Sequence, residues 1–114
     1  MNKNPLIFIK HILESIKIIE DYLDNISKEG FMEEQKLQDA VIRRLEVIGE
    51  AVKNISSELK EKYPEIPWQS IAGTRDKLTH HYFGVDLELV WNVVIEELPK
   101  LKKEMEKILG NGKE

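Results

Sequence analysis

An all-α protein, an up-and-down four-helix bundle with one short extra helix, is the fold this sequence predicts. Three observations carry that reading. Apolar residues recur at spacings of three and four over long stretches. The six Gly and four Pro stand at a few punctuation points and leave those stretches uninterrupted. No stretch alternates apolar and polar residues as a half-buried strand does. The length of 114 residues, 41% hydrophobic and 33% charged, suits a single domain over 1–114 with one core.

The first helix is expected to start at Asn4-Pro5, since Asn caps a helix and Pro suits its first position. Leu6, Ile9, Leu13, Ile16, Ile19 or Glu20, Leu23 and Ile26 form its stripe, Phe8 and Ile12 widen it, and Gly30 is the expected stop. The second helix begins near Glu33, with Leu37, Val41, Leu45, Ile48, Val52, Ile55 and Leu59 on one face. Gly49 in its middle costs about 1 kcal/mol relative to Ala. With Ala40 and Ala51 nearby, it predicts close approach of another helix. Positions 54–57 interrupt the run, and Ser56 is placed to cap a short helix reaching Tyr63. Pro64 and Pro67 enclose a compact linker.

A third helix is expected over 67–81, followed by Gly84. Asp86 then caps the last helix, whose stripe is Leu87, Val90, Trp91, Val94, Ile95, Leu98, Leu101, Met105 and Ile108. Pro99 lies inside it and predicts a kink or break near Glu97 and Leu98. Ordered helices are expected over about 5–109, with 110–114 as a frayed tail. Stripes this broad on a small domain predict a homo-oligomer.

Composition excludes several functions. No apolar run reaches the length of a membrane span, and the residues after Met1 are broken by Lys10, His11, Glu14 and Lys17, unlike a signal peptide. A soluble, cytoplasmic protein is the expectation. Zero Cys removes disulfides, thiolate metal sites and Cys nucleophiles. The net charge of −4 argues against gripping nucleic acid by bulk charge, and leaves a small local site open.

The chemistry concentrates in one segment, Arg75-Asp76-Lys77-Leu78-Thr79-His80-His81-Tyr82-Phe83. It holds two of the three His and the only Arg outside the pair Arg43-Arg44. On a regular helix Arg75, Thr79 and Tyr82 share a face, and Asp76 and His80 form an i,i+4 pair beside it. An Arg can fork onto a phosphate, and a His titrates near neutrality and can move a proton. These are the minimum for metal-free RNA cleavage: a base for the ribose 2′-OH and a cation for the charge that develops at phosphorus. The same residues also fit a plain reading, with Asp76 and His80 as an exposed helix pair and Arg75 paired to a neighbouring carboxylate. Adjacent His80 and His81 point about 100° apart on a helix, so no metal site is expected, and no cofactor. Arg43 and Arg44 either widen a basic surface or pair with Glu46 or Glu50. Trp68 and Trp91 read as core anchors, and His11 as a solvated polar position.

Arg75, four residues, His80, one residue, Tyr82 is the R-x4-H-x-Y pattern of the HEPN-domain ribonucleases, and more of the chain resembles their HepT-like branch. Asp39-Ala40-Val41-Ile42-Arg43-Arg44-Leu45-Glu46-Val47-Ile48-Gly49-Glu50-Ala51 is similar to that branch's second-helix signature. Ile66-Pro67-Trp68-Gln69-Ser70-Ile71-Ala72-Gly73 resembles its approach to the motif. Tyr82-Phe83-Gly84-Val85-Asp86, then Val90-Trp91 and Leu98-Pro99, resembles its continuation. The resemblance implies a homodimeric HEPN-like bundle acting as the toxin of a type VII-like toxin–antitoxin pair. It further implies a metal-independent endoribonuclease, with a tRNA as one candidate substrate.

By residue, the resemblance makes Arg75 the holder of the scissile phosphate and His80 the general acid/base. Asp76 orients the site, with Lys77 and Thr79 in support, and His81, Arg43 and Arg44 are candidate RNA contacts. The implied partner is an MntA-type minimal nucleotidyltransferase, which neutralises the toxin by transferring AMP to Tyr82. Arg75 and His80 lie about 140° apart around one helix, so a second subunit or a distorted helix end is expected to complete the site. The alternative function is a non-catalytic dimeric subunit that binds a nucleotide or partner within a nucleotidyltransferase complex.

Overall fold

The computed structural model describes residues 6–79 and 86–112, and at 75–79 and 111–112 through the course of the backbone. The protein is all-α: the described residues form helices and their connecting turns, with no strand among them. Helix α1 spans Ile7–Tyr22 and buries Ile9, Ile12, Ser15, Ile16 and Ile19. Its predicted start at Asn4-Pro5 lies outside the described residues. It ends a turn before its apolar stripe does. Leu23 donates to the Ile19 carbonyl, and Asn25 takes a left-handed backbone, φ 62°, which Asn tolerates better than most residues.

The chain then restarts. Ser27 accepts from the Gly30 amide at 3.0 Å and caps α2, Lys28–Glu33. Gly30 is therefore inside a helix rather than a stop, because the capping serine captures its N–H. This short turn delivers Phe31, fully buried, against Trp91 with ring centroids 5.4 Å apart. Gln38 donates from its amide to the Phe31 carbonyl at 2.9 Å, which ties α2 onto α3.

Helix α3, Gln35–Lys53, is the centre of the bundle. It packs against α1, α2 and α5 and buries Val41, Leu45, Ile48, Gly49, Ala51 and Val52. The burial of Gly49 and Ala51 suits the close approach their small size permits. Asn54 closes the helix by donating to the Glu50 carbonyl at 2.9 Å. Ser56 caps α4, Ser57–Lys62, by accepting from Leu59 at 3.1 Å, as expected. The Pro-flanked linker buries Ile66. Trp68 anchors the linker's end, donating its indole N–H to the Tyr63 carbonyl at 3.0 Å. Trp68 thereby opens α5, Trp68–Thr79.

Asp86 caps α6, Leu87–Asn92, accepting from Leu89 at 3.1 Å. A π-helical turn, Val93–Glu97, follows, in which the Leu98 N–H reaches back five residues to the Val93 carbonyl. Helix α7, Leu98–Gly112, completes the bundle, passing through Gly110 where the sequence reading ends it. The π turn stands where a kink was expected. Pro99 has no N–H, and its ring would collide with the Ile95 carbonyl in a regular α-helix. One wider turn before Pro99 relieves both problems.

Helix α1 packs on α3 and α7, and α3 on α5. Exposed ion pairs span elements among the described residues, Lys28–Glu88 at 2.8 Å and Lys102–Glu20 at 3.1 Å. Exposed pairs of this kind add little stability, so the apolar core holds the fold. Among the described residues the fourth seam of the bundle, between α5 and α6–α7, is not closed, and a cleft opens there.

Truncating Phe31 tests the least expected core contact. Phe31→Ala should cost about 3–5 kcal/mol, read as a lowered denaturant midpoint with an unchanged slope. A loss below about 1 kcal/mol would show that α2 is not part of the cooperative core.

Candidate functional site

The backbone of α5 carries Arg75, Asp76, Lys77 and Thr79 on its closing turns. His80, His81 and Tyr82 lie outside the described residues. What the structure adds is the setting of the helix that bears the first half of the motif. Ile71 and Thr74, the last residues before Arg75 to line a cavity, face a cleft of about 410 Å³. From α3 it takes Leu45 and Ile48, and from the C-terminal run Leu89, Val93, Leu98 and Leu101. Its polar edge is Glu97, Lys100 and Glu104. Thr74 uses its hydroxyl inside the helix, donating to the Ser70 carbonyl at 3.1 Å.

Glu104 is half-buried at this edge. Burial pushes its carboxyl above the usual carboxylate range, and the neighbouring Glu65 carboxylate adds to the rise; Lys100 and Lys107 pull it back in part. Lost hydration is thus the main influence on this carboxyl, with carboxylate repulsion second.

Arg43 and Arg44 lie on α3. Arg43 is exposed and meets Glu46 at 3.9 Å, so the pairing expected as one of two readings is present. It lines a separate hollow of about 260 Å³ with Glu46, Val47 and Glu50, and neither Arg lines the 410 Å³ cleft. His11 is exposed and sets its ring edge-on to Phe8, with centroids 5.9 Å apart. Trp68 is buried as an anchor, and Trp91 is half-buried against Phe31. Among the described residues no three His, Asp or Glu side chains come together to hold a metal ion, and no helix is long and apolar enough to cross a membrane. Sequence reasoning missed the cleft. Pro99 was the available signal, because the π turn it provokes supplies both Val93 and Glu97 to the cleft wall.

Residues 12–108 match the family model described as "Ribonuclease HepT-like". The chain belongs to the HepT-like ribonuclease family. Among its relatives is a "Probable ribonuclease HepT" of Thermococcus cleftensis, 45% identical over 95% of this chain and 98% of the relative. A "Putative RNase" of Caldanaerobacter subterraneus subsp. tengcongensis is 41% identical over 97% of this chain and 99% of the relative. A Methanocaldococcus jannaschii protein described as "Gamma-glutamylcyclotransferase and putative RNase" is 51% identical over 96% of this chain. This chain spans about half of that relative, 49% of its length. No solved structure matches the chain significantly. HepT-like membership supports a ribonuclease function with RNA as substrate.

The raised carboxyl of Glu104 gives a sign to the pH dependence of stability. The folded state binds this proton more readily than the unfolded chain does, so stability falls as pH rises from the ordinary carboxylate range through the raised value. Glu104→Gln removes that loss. It should melt above the wild type at pH 7, and the gap should close near about pH 4, where the wild-type carboxyl is protonated. Equal melting temperatures at both pH values would contradict the raised carboxyl.

Proposed function

We propose that this HepT-like chain is the RNA-cleaving toxin of a type VII-like toxin–antitoxin pair, a metal-independent endoribonuclease acting through Arg75 and His80. The observation that carries the reading is the order Arg75, His80, Tyr82 at and beyond the end of α5, within a family match over 12–108. In this reading His80 takes the proton from a ribose 2′-OH. The 2′-oxygen attacks the adjacent phosphorus, and the bond to the 5′-oxygen breaks, with that oxygen receiving a proton. The products are a 2′,3′-cyclic phosphate, which can open to a 3′-phosphate, and a 5′-hydroxyl. Arg75 holds the phosphate and offsets the charge on its equatorial oxygens. Asp76 orients the site, and Lys77, Thr79, His81, Arg43 and Arg44 contribute the local contacts that a chain of net charge −4 needs to attract RNA.

The chain acts as a homodimer in this reading. Large apolar side chains left exposed on the single subunit support it: Ile95 on the π turn is 52% exposed and Tyr22 on α1 is 42% exposed. Two motif segments brought together would also ease the 140° divergence of Arg75 and His80. An MntA-type nucleotidyltransferase neutralises the toxin. The Tyr82 hydroxyl attacks the α-phosphorus of ATP, forming a phosphodiester to AMP and releasing pyrophosphate. The added bulk and negative charge then exclude RNA.

Wild-type protein, first shown by intact mass to carry no AMP, should cleave total RNA in the presence of EDTA. Arg75→Ala and His80→Ala should each lower the rate by about 10²–10⁴-fold while melting like the wild type. Activity retained by both variants would sink the assignment. Absence of cleavage by the unmodified wild type would favour the non-catalytic, partner-binding reading. Tyr82→Phe should keep cleavage and no longer gain the mass of AMP when incubated with ATP and the partner enzyme. A mass gain on the Phe variant would place the modification elsewhere.

A further inference from the structure

We propose that the open seam between α5 and α6–α7 is a docking groove for an amphipathic helix of a partner protein, one with an apolar face and a basic flank. This goes beyond the ribonuclease reading and does not rest on it. Among the described residues α1 packs on α3 and α7 and α3 on α5, and the 410 Å³ cleft lies between α5 and the α6–α7 run. Half-buried Ile71, Leu89 and Val93 line its walls over a floor of buried Leu45, Ile48 and Leu98, apolar positions of the kind that a helix contacts with residues at i, i+3 or i+4, and i+7. Leu89 and Glu104 both line it, and at 1.5 Å per residue their separation along the helix is about 22 Å, the length of a partner helix of about 15 residues.

Charge selects the occupant. Glu97 and Glu104 flank the groove with Lys100 between them, and Glu65 lies close enough to act on Glu104. Neither Glu97 nor Glu104 has an ion-pair partner within 4.0 Å among the described residues, so an incoming Arg or Lys would find an unpaired carboxylate. A nucleic acid is disfavoured, since its phosphates would meet an apolar wall edged with carboxylates. The same seam of a second copy is disfavoured as well. Two grooves offer no ridge to each other, and a two-fold contact would set carboxylates against carboxylates. A convex helix with a basic flank satisfies both the shape and the charge.

The test uses the full chain and two fluorescein-labelled 16-residue helical peptides. Both carry the same Leu face, one with an Arg flank and the other with a Glu flank, and binding is read by fluorescence anisotropy. The Arg-flanked peptide should bind at least tenfold more tightly. The double variant Glu97→Lys, Glu104→Lys should reverse the order, and Lys100→Glu should tighten the Arg-flanked peptide further. Leu89→Asp, on the apolar wall, should weaken both. If the double variant does not fold, Lys100→Glu decides by itself. Equal binding of the two peptides, or no response to Lys100→Glu, would overturn the proposal. So would light scattering that shows a wild-type dimer dissociated by Leu89→Asp, since the seam would then belong to a second copy.

Discussion

Helix α3 must satisfy several neighbours at once, and the arrangement of the molecule follows from that. Its buried set, Val41, Leu45, Ile48, Gly49, Ala51 and Val52, covers more than one face of the cylinder. A single partner helix needs a stripe roughly 100° wide; α3 instead packs on α1, α2 and α5. Gly49 gives up helix propensity for small size, and Ala51 supplies small size at no such cost. Helix α5 takes its position from this packing and from the Trp68 anchor, and α5 is the element that carries Arg75. The backbone at Arg75 therefore takes its placement from the core.

Where end signals are local, the sequence revealed the fold well. Ser56 and Asp86 were readable as caps because capping needs only a short polar side chain followed by an amide two or three residues on. Pro99 was readable as a disturbance because its missing N–H is a property of the residue itself. The end of α1 was not readable in this way. Leu23 and Ile26 continue the apolar period, so periodicity extends the helix past Tyr22. The stop comes from the left-handed backbone of Asn25 and from Ser27 capturing the Gly30 amide. Phe31 was missed for the same reason, since a six-residue helix has too few residues to show a period.

The candidate site divides along a similar line. Residue types and their order pointed to phosphate and proton chemistry, and the family match places the chain among HepT-like ribonucleases. Helical spacing alone left Arg75 and His80 diverging around the axis, because convergence depends on groups outside a regular helix. Of the cleft beside α5 the sequence carried only the disturbance at Pro99. Its walls come from α3, α5 and the C-terminal run, and which seam of a bundle stays open is a property of the assembled packing. The π turn ahead of Pro99 helps to line it, so a backbone accommodation of one proline is also part of the cleft wall.

The most direct test of the account is the chemical form of the RNA ends left by the unmodified protein in EDTA, determined by mass spectrometry on a short defined substrate. Internal attack aided by His80 and Arg75 predicts a 2′,3′-cyclic phosphate or its 3′-phosphate product on one fragment and a 5′-hydroxyl on the other. A 3′-hydroxyl with a 5′-phosphate would mean that water, not the ribose 2′-oxygen, attacks phosphorus, and would contradict the account.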